Sequence, residues 1–147
     1  MILNRQRAVG VSAGPLGRFL ARVQRVLRLP KDSVAVCLIE DREIARLNQV
    51  YRGQRGPTDV LSFPVEARWQ LACNGKRKSR AQFLGDIAIS PASARRNARE
   101  GRRPVPDELR MLILHGVLHL LGYDHETDRG QMERYEARLR RKLGLTK

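Results

Sequence analysis

Between Leu109 and Leu121 the chain carries Leu109, Leu112, Ile113, Val117, Leu118, Leu120 and Leu121, which on a helical period leave almost no polar face. Such a helix has to be wrapped by other elements, so the spacing predicts a buried central helix, with Asp107 as its N-cap. His115 and His119 interrupt the apolar surface. Four residues turn a helix by about 400° and advance it by roughly 6 Å, so both imidazoles project from nearly one face and can grip one ion. His125 completes an H-x3-H-x5-H cluster that holds all three histidines of the chain. Gly122, between the second and third, can take the left-handed conformation that ends a helix and brings His125 back toward the same ion. Three neutral imidazole nitrogens leave one tetrahedral position open, the arrangement of a catalytic rather than a structural zinc, although the same donors also accept nickel, copper or cobalt.

The remaining elements read as a shell around that helix. Ile2 to Asn4 is a short strand, and Pro15 to Leu27 a helix with Leu16, Phe19, Leu20, Val23, Val26 and Leu27 on its apolar stripe. Ser33 to Ile39 is a β-branched run expected as a buried strand. A helix N-capped by Asp41 carries Ile44, Leu47 and Tyr51 on one side and ends near Gly53. Asp59 to Phe63 and Leu84 to Ile89 read as strands, the first stopped by Pro64. Residues 66–82, with the basic run Gly75 to Arg80, show no period and read as a mobile loop. Ser90 and Pro91 open a helix to Gly101 bearing Arg95, Arg96 and Arg99, and a last helix from about Asp128 places Met132, Tyr135, Leu139 and Leu143 on one stripe. The order βαβαββααα predicts an α/β (α+β) fold, a small mixed four-stranded sheet with helices packed around it, in one domain spanning residues 1–147.

Charge narrows the partners. There are 29 Lys and Arg against 15 Asp and Glu, a net +14, so the field draws polyanions, nucleic acid first. No apolar run reaches the roughly 18 residues of a membrane span, and the first residues lack a signal core, so a soluble, cytoplasmic protein is expected, with no membrane partner. Cys37 and Cys73 form no C-x-x-C pair and read as reduced thiols.

The segment HGVLHLLGYDH has the frame of the H-E-x-x-H zinc-peptidase motif, but Gly116 stands where the general-base glutamate would be. Peptide hydrolysis needs that base; glycine has none, and the metallopeptidase reading falls away. A phosphodiester asks for something different, since a Lewis acid and a guanidinium together stabilise the charge that builds on phosphoryl oxygens.

HGVLHLLGYDH, LNQVYRGQRGPTDVLSFP (Leu47 to Pro64) and LGDIAIS (Leu84 to Ser90) together resemble the YbeY family of bacterial metal-dependent endoribonucleases. The resemblance implies a zincin-like fold, one Zn2+ per chain, and cleavage of single-stranded RNA in maturation of small-subunit ribosomal RNA and in ribosome quality control. It also implies small-subunit ribosomal proteins and assembly GTPases as partners. Carried over residue by residue, the metal ligands are His115, His119 and His125, and the catalytic residues Arg52, in the YRG segment, and His115. Gln54 and Arg55, and the strongly basic loop before LGDI, depart from the family pattern. A competing reading is an RNA-binding ribosome-assembly factor whose metal is structural and whose nuclease activity is incidental. From position alone Arg52 also suits a helix C-terminus, Asp86 suits either a carboxylate that orients a ligand histidine or a turn cap, Asp124 suits a turn, and Trp69 suits base stacking or simple packing.

Overall fold

The structure is a computed structural model that describes residues 1–65, 83–124 and 128–145. Its elements follow the expected order: β1 (Ile2–Asn4), α1 (Ala13–Val26), β2 (Val34–Leu38), α2 (Asp41–Arg52), β3 (Val60–Pro64), β4 (Gly85–Ile89), α3 (Pro91–Glu100), α4 (Val105–Leu120) and α5 (Gln131–Lys142). The sheet runs β1-β2-β4-β3. The first three of these strands are parallel, while β3 pairs antiparallel to β4 at an edge.

Alternation along the strands sorts the core into two layers. Val34, Val36 and Leu38 of β2 and Ile87 and Ile89 of β4 face α1 and α4, where they meet Leu16, Leu20, Ile113 and Val117. Cys37, Ile39 and Ala88 face the other way, onto Ile44 and Leu47 of α2 and Leu61 and Phe63 of β3. A strand buried on both faces reads as a continuous apolar run, which is what VAVCL is. Nine of the sixteen residues of α4 are buried, so this helix is the centrepiece that its sequence demanded. At roughly 1.5–3 kcal/mol for each fully buried Leu, Ile or Val, its apolar residues are a principal source of stability.

Several boundaries differ from expectation. Helix α4 starts at Val105 behind Pro104, not at an Asp107 cap, because prolines fit a first turn whose N–H groups lack helical partners. Asp107 lies inside that turn and accepts a hydrogen bond from Arg110 at 2.8 Å. Glu40, not Asp41, occupies the N-cap of α2, and Asp41 instead accepts from the Ser90 and Ser93 hydroxyls and from Arg96, tying α2 to α3. Helix α5 begins at Gln131, and Asp128 caps it by accepting from the Gly130 and Met132 amides. Pro64 is the last residue of β3 rather than a stop before it, a placement an edge strand tolerates. Cys37, expected as a reduced thiol, is fully buried on β2, and Cys73 lies outside the described residues, as do the rest of the basic loop and Trp69.

Candidate active site

The C-terminal half of α4 sets the site. His115 and His119 stand one turn apart with their Nε2 atoms 3.0 Å from each other and their rings crossed at 75°. Two ligands about 2.0–2.1 Å from one tetrahedral ion stand about 3.3 Å apart, so the two rings need only a small adjustment to share a metal. Helix α4 then stops in a Schellman turn: Gly122 has φ +100°, its N–H donates to the His119 carbonyl, and the Tyr123 N–H donates to Leu118. The expected left-handed glycine is therefore present. His125 lies outside the described residues, and among those described no group of three metal-ligating side chains occurs.

Gly116 explains itself sterically. A Cβ built on it would lie 2.8 Å from Ile87 Cδ1 and 2.9 Å from Cγ2, so this position of α4 is pressed against β4 and not turned to the cleft. Its carbonyl accepts the Ser62 hydroxyl at 3.1 Å, which pins β3 to α4 beside the histidines. Glutamate here would have no room.

Behind His115 stands a residue that the sequence reading missed. Glu136 of α5 is 5 % exposed, and its Oε1 lies 3.1 Å from His115 Nδ1 while its Oε2 accepts from Arg140 at 3.0 Å. Burial alone raises the Glu136 pKa, but the hydrogen bond and charge of His115, together with Arg140, outweigh it and hold the carboxyl below its usual range. An ionised carboxylate only accepts, so His115 Nδ1–H is the donor and Nε2 is the nitrogen left for the cleft; in the neutral ring it carries the lone pair a metal needs. Glu136 sits on the buried stripe with Met132 and Leu139. A carboxylate on an apolar stripe was the available signal. Asp86, by contrast, is fully buried on the sheet face shared with Ala88 and Phe63, opposite α4, so the carboxylate beside His115 is Glu136.

Arg52 is the last residue of α2, released by Gly53 at φ +66°. The following loop is held back to α2 by Asn48 Nδ2, which donates to the Gly56 carbonyl, and it delivers the chain into β3. The result is an open cleft of about 700 Å³ whose lining includes Arg52, residues 58–64, both histidines and the Gly122–Asp124 turn. Arg52 and the histidine pair, 63 residues apart in sequence at their nearest, thus face one space. Asp124, read as a turn residue, also lines it. Tyr51 and Tyr123 stand on the walls, the first edge-on to Phe63 and the second against Tyr135. The arrangement joins two convergent imidazoles with an exposed guanidinium, a set suited to an anionic ester.

Comparison with known proteins bears on this geometry. The sequence model of the family described as Endoribonuclease YbeY matches residues 12–144. A protein of that name from Koribacter versatilis is 40% identical over 145 residues, covering 99% of this chain and 86% of its own, and one from Nautilia profundicola is 43% identical over 117 residues, covering 80% and 76%. Among solved structures, the solution structure of TM1509 from Thermotoga maritima matches with a TM-score of 0.58 at 29% identity, covering 97% of this chain and 89% of that one.

Proposed function

The chain belongs to the YbeY endoribonuclease family, and on that premise we propose that it is a zinc-dependent endoribonuclease of single-stranded RNA, acting in the cytoplasm on small-subunit ribosomal RNA during maturation and quality control. The observation that carries the reading is the shared cleft of Arg52, His115 and His119. A zinc held by His115, His119 and His125 supplies Lewis acidity toward a phosphoryl oxygen and acidifies water. The donor set fits that ion, since the two described imidazoles converge and His115 is held in the tautomer that turns Nε2 to the cleft. The zincin-like description of the fold belongs to the same proposal.

The chain's own residues do the rest. Arg52 presents a planar guanidinium to two phosphoryl oxygens at once and stabilises the charge they gain in the transition state. Glu136 holds the His115 ring in place and keeps its outer nitrogen aimed inward, and Arg140 fixes Glu136 in turn. The other members of α4 exclude water from behind the histidines.

The test is single-turnover cleavage of a single-stranded RNA at saturating protein. Arg52→Ala is expected to keep its metal and fold and to cut at least about 10²-fold more slowly, the usual loss of one transition-state charge stabiliser, with Arg52→Lys recovering only part. A saturated rate equal to wild type would make Arg52 a docking residue and favour the assembly-factor reading.

A further inference from the structure

The outer edge of β3 forms one wall of the cleft, and its hydrogen-bonding pattern is determined by register. In the β3–β4 ladder the Ser90 N–H donates to Asp59 and the Val65 N–H to Leu84. Antiparallel pairs alternate, so the odd residues 59 to 65 turn their main-chain groups to β4, and Val60, Ser62 and Pro64 turn theirs outward. Pro64, with no N–H to lose, falls on an outward position, as an edge requires. Neither the Val60 nor the Ser62 main chain finds a partner on this side among the described residues.

That edge therefore offers, in order, N–H and C=O of Val60, N–H and C=O of Ser62, and C=O of Pro64, a donor–acceptor pair repeating about every 6.8 Å. A ribonucleotide backbone offers the complement, one acceptor phosphate and one donor 2′-hydroxyl per repeat. We propose that the free edge of β3 is the RNA-backbone track of this cleft, with the Val60 and Ser62 amides donating to phosphate oxygens and their carbonyls accepting 2′-hydroxyls. It selects RNA over DNA without reading sequence. An extended polypeptide has the same alternation, but Arg52 in the same cleft and the +14 charge of the chain favour the polyanion. Of the two acids that line the cleft, Asp59 and Asp124, the first already accepts from Asn97 and from Thr58.

The inference rests on the endoribonuclease reading and is separable from it. Competition of labelled single-stranded RNA with unlabelled RNA, DNA and 2′-O-methyl RNA of one sequence is expected to rank RNA ahead of both others by about tenfold or more. Val60→Pro and Ser62→Pro each remove one outward donor and spare the ladder. Each is expected to weaken RNA and DNA about equally and several-fold. If a proline variant fails to fold, the three competitors on wild-type protein still decide the question. Equal affinity for RNA, DNA and 2′-O-methyl RNA, or folded proline variants with unchanged RNA affinity, overturns the track and leaves the edge to an extended polypeptide. Persistent RNA cleavage in that case would sink the track alone, whereas absence of any RNA binding would sink the endoribonuclease reading with it.

Discussion

Replacing Glu136 tests the carboxylate behind His115. In Glu136→Gln the amide oxygen can take the His115 Nδ1–H, but the amide NH2 then faces the Arg140 guanidinium, donor against donor, so one of the two contacts is lost. Glu136→Ala loses both. Removing one partner from a fully buried ion pair costs about 3–5 kcal/mol. Here the surviving side chains are 25% exposed for His115 and 32% for Arg140, and water reaches them. Roughly 1–2 kcal/mol of folding stability is therefore expected for Ala and less for Gln. The larger signal is in metal affinity, where losing the carboxylate behind a ligand histidine typically costs 10–100-fold, or about 1.4–2.7 kcal/mol. Zinc affinity, measured by competition with a chromophoric chelator, should fall about tenfold for Gln and toward 100-fold for Ala. A Kd within twofold of wild type for Glu136→Ala, in protein that still melts cooperatively and in which His119→Ala abolishes binding, would refute the assigned role.

Other consequences are independent of that pair. Gly116→Ala should destabilise by up to about 2 kcal/mol in a denaturant titration, the overpacking against Ile87 exceeding the roughly 1 kcal/mol helix-propensity gain; Gly116→Glu should fail to fold rather than acquire casein hydrolysis. Burial pushes the Glu108 pKa up, Arg103 opposing and Asp59 assisting, so its contribution is full below the usual carboxylate range and is lost as pH rises through the raised value. Thermal melts of Glu108→Gln should accordingly gain on wild type between pH 4 and pH 8; a gain that shrinks would contradict the sign. RNA affinity should fall steeply with salt, and neutralising Lys76, Arg77, Lys78 and Arg80 together should flatten the slope; an unchanged slope would move phosphate contact to Arg95, Arg96 and Arg99.

Much of the architecture was legible because its signals are local. Strand β2 is apolar on every residue because both its faces are buried, α1 and α5 keep a 3.6-residue stripe, and Ser90-Pro91 opens α3 as its chemistry predicts, with the Ser90 hydroxyl accepting from the Ser93 amide. Helix starts were less legible where several acids crowd a first turn, as Glu40 with Asp41 and Asp107 with Glu108 do. Local sequence does not say which carboxylate tertiary partners will claim, and Asp41 was claimed by α3. In the site, the His115–His119 pair and the Gly122 turn followed from helix geometry alone. Arg52 did not, since its meeting with the histidines depends on how the 53–59 loop returns to β3. Glu136 and Asp86 show the same limit from opposite sides. Each is a buried acid, and only the packing of α5 and the pleat of β4 put Glu136 beside His115 and Asp86 on the opposite face of the sheet.

The central claim is most directly tested by titrating zinc into chelator-stripped protein while following cleavage of a single-stranded RNA. Activity should be absent without metal, rise linearly and saturate near one equivalent per chain, and stay absent in His119→Ala at any zinc concentration that leaves the RNA intact by itself. Cleavage by the stripped protein at the wild-type rate, or full zinc-restored activity in His119→Ala, would contradict a catalytic metal on this helix.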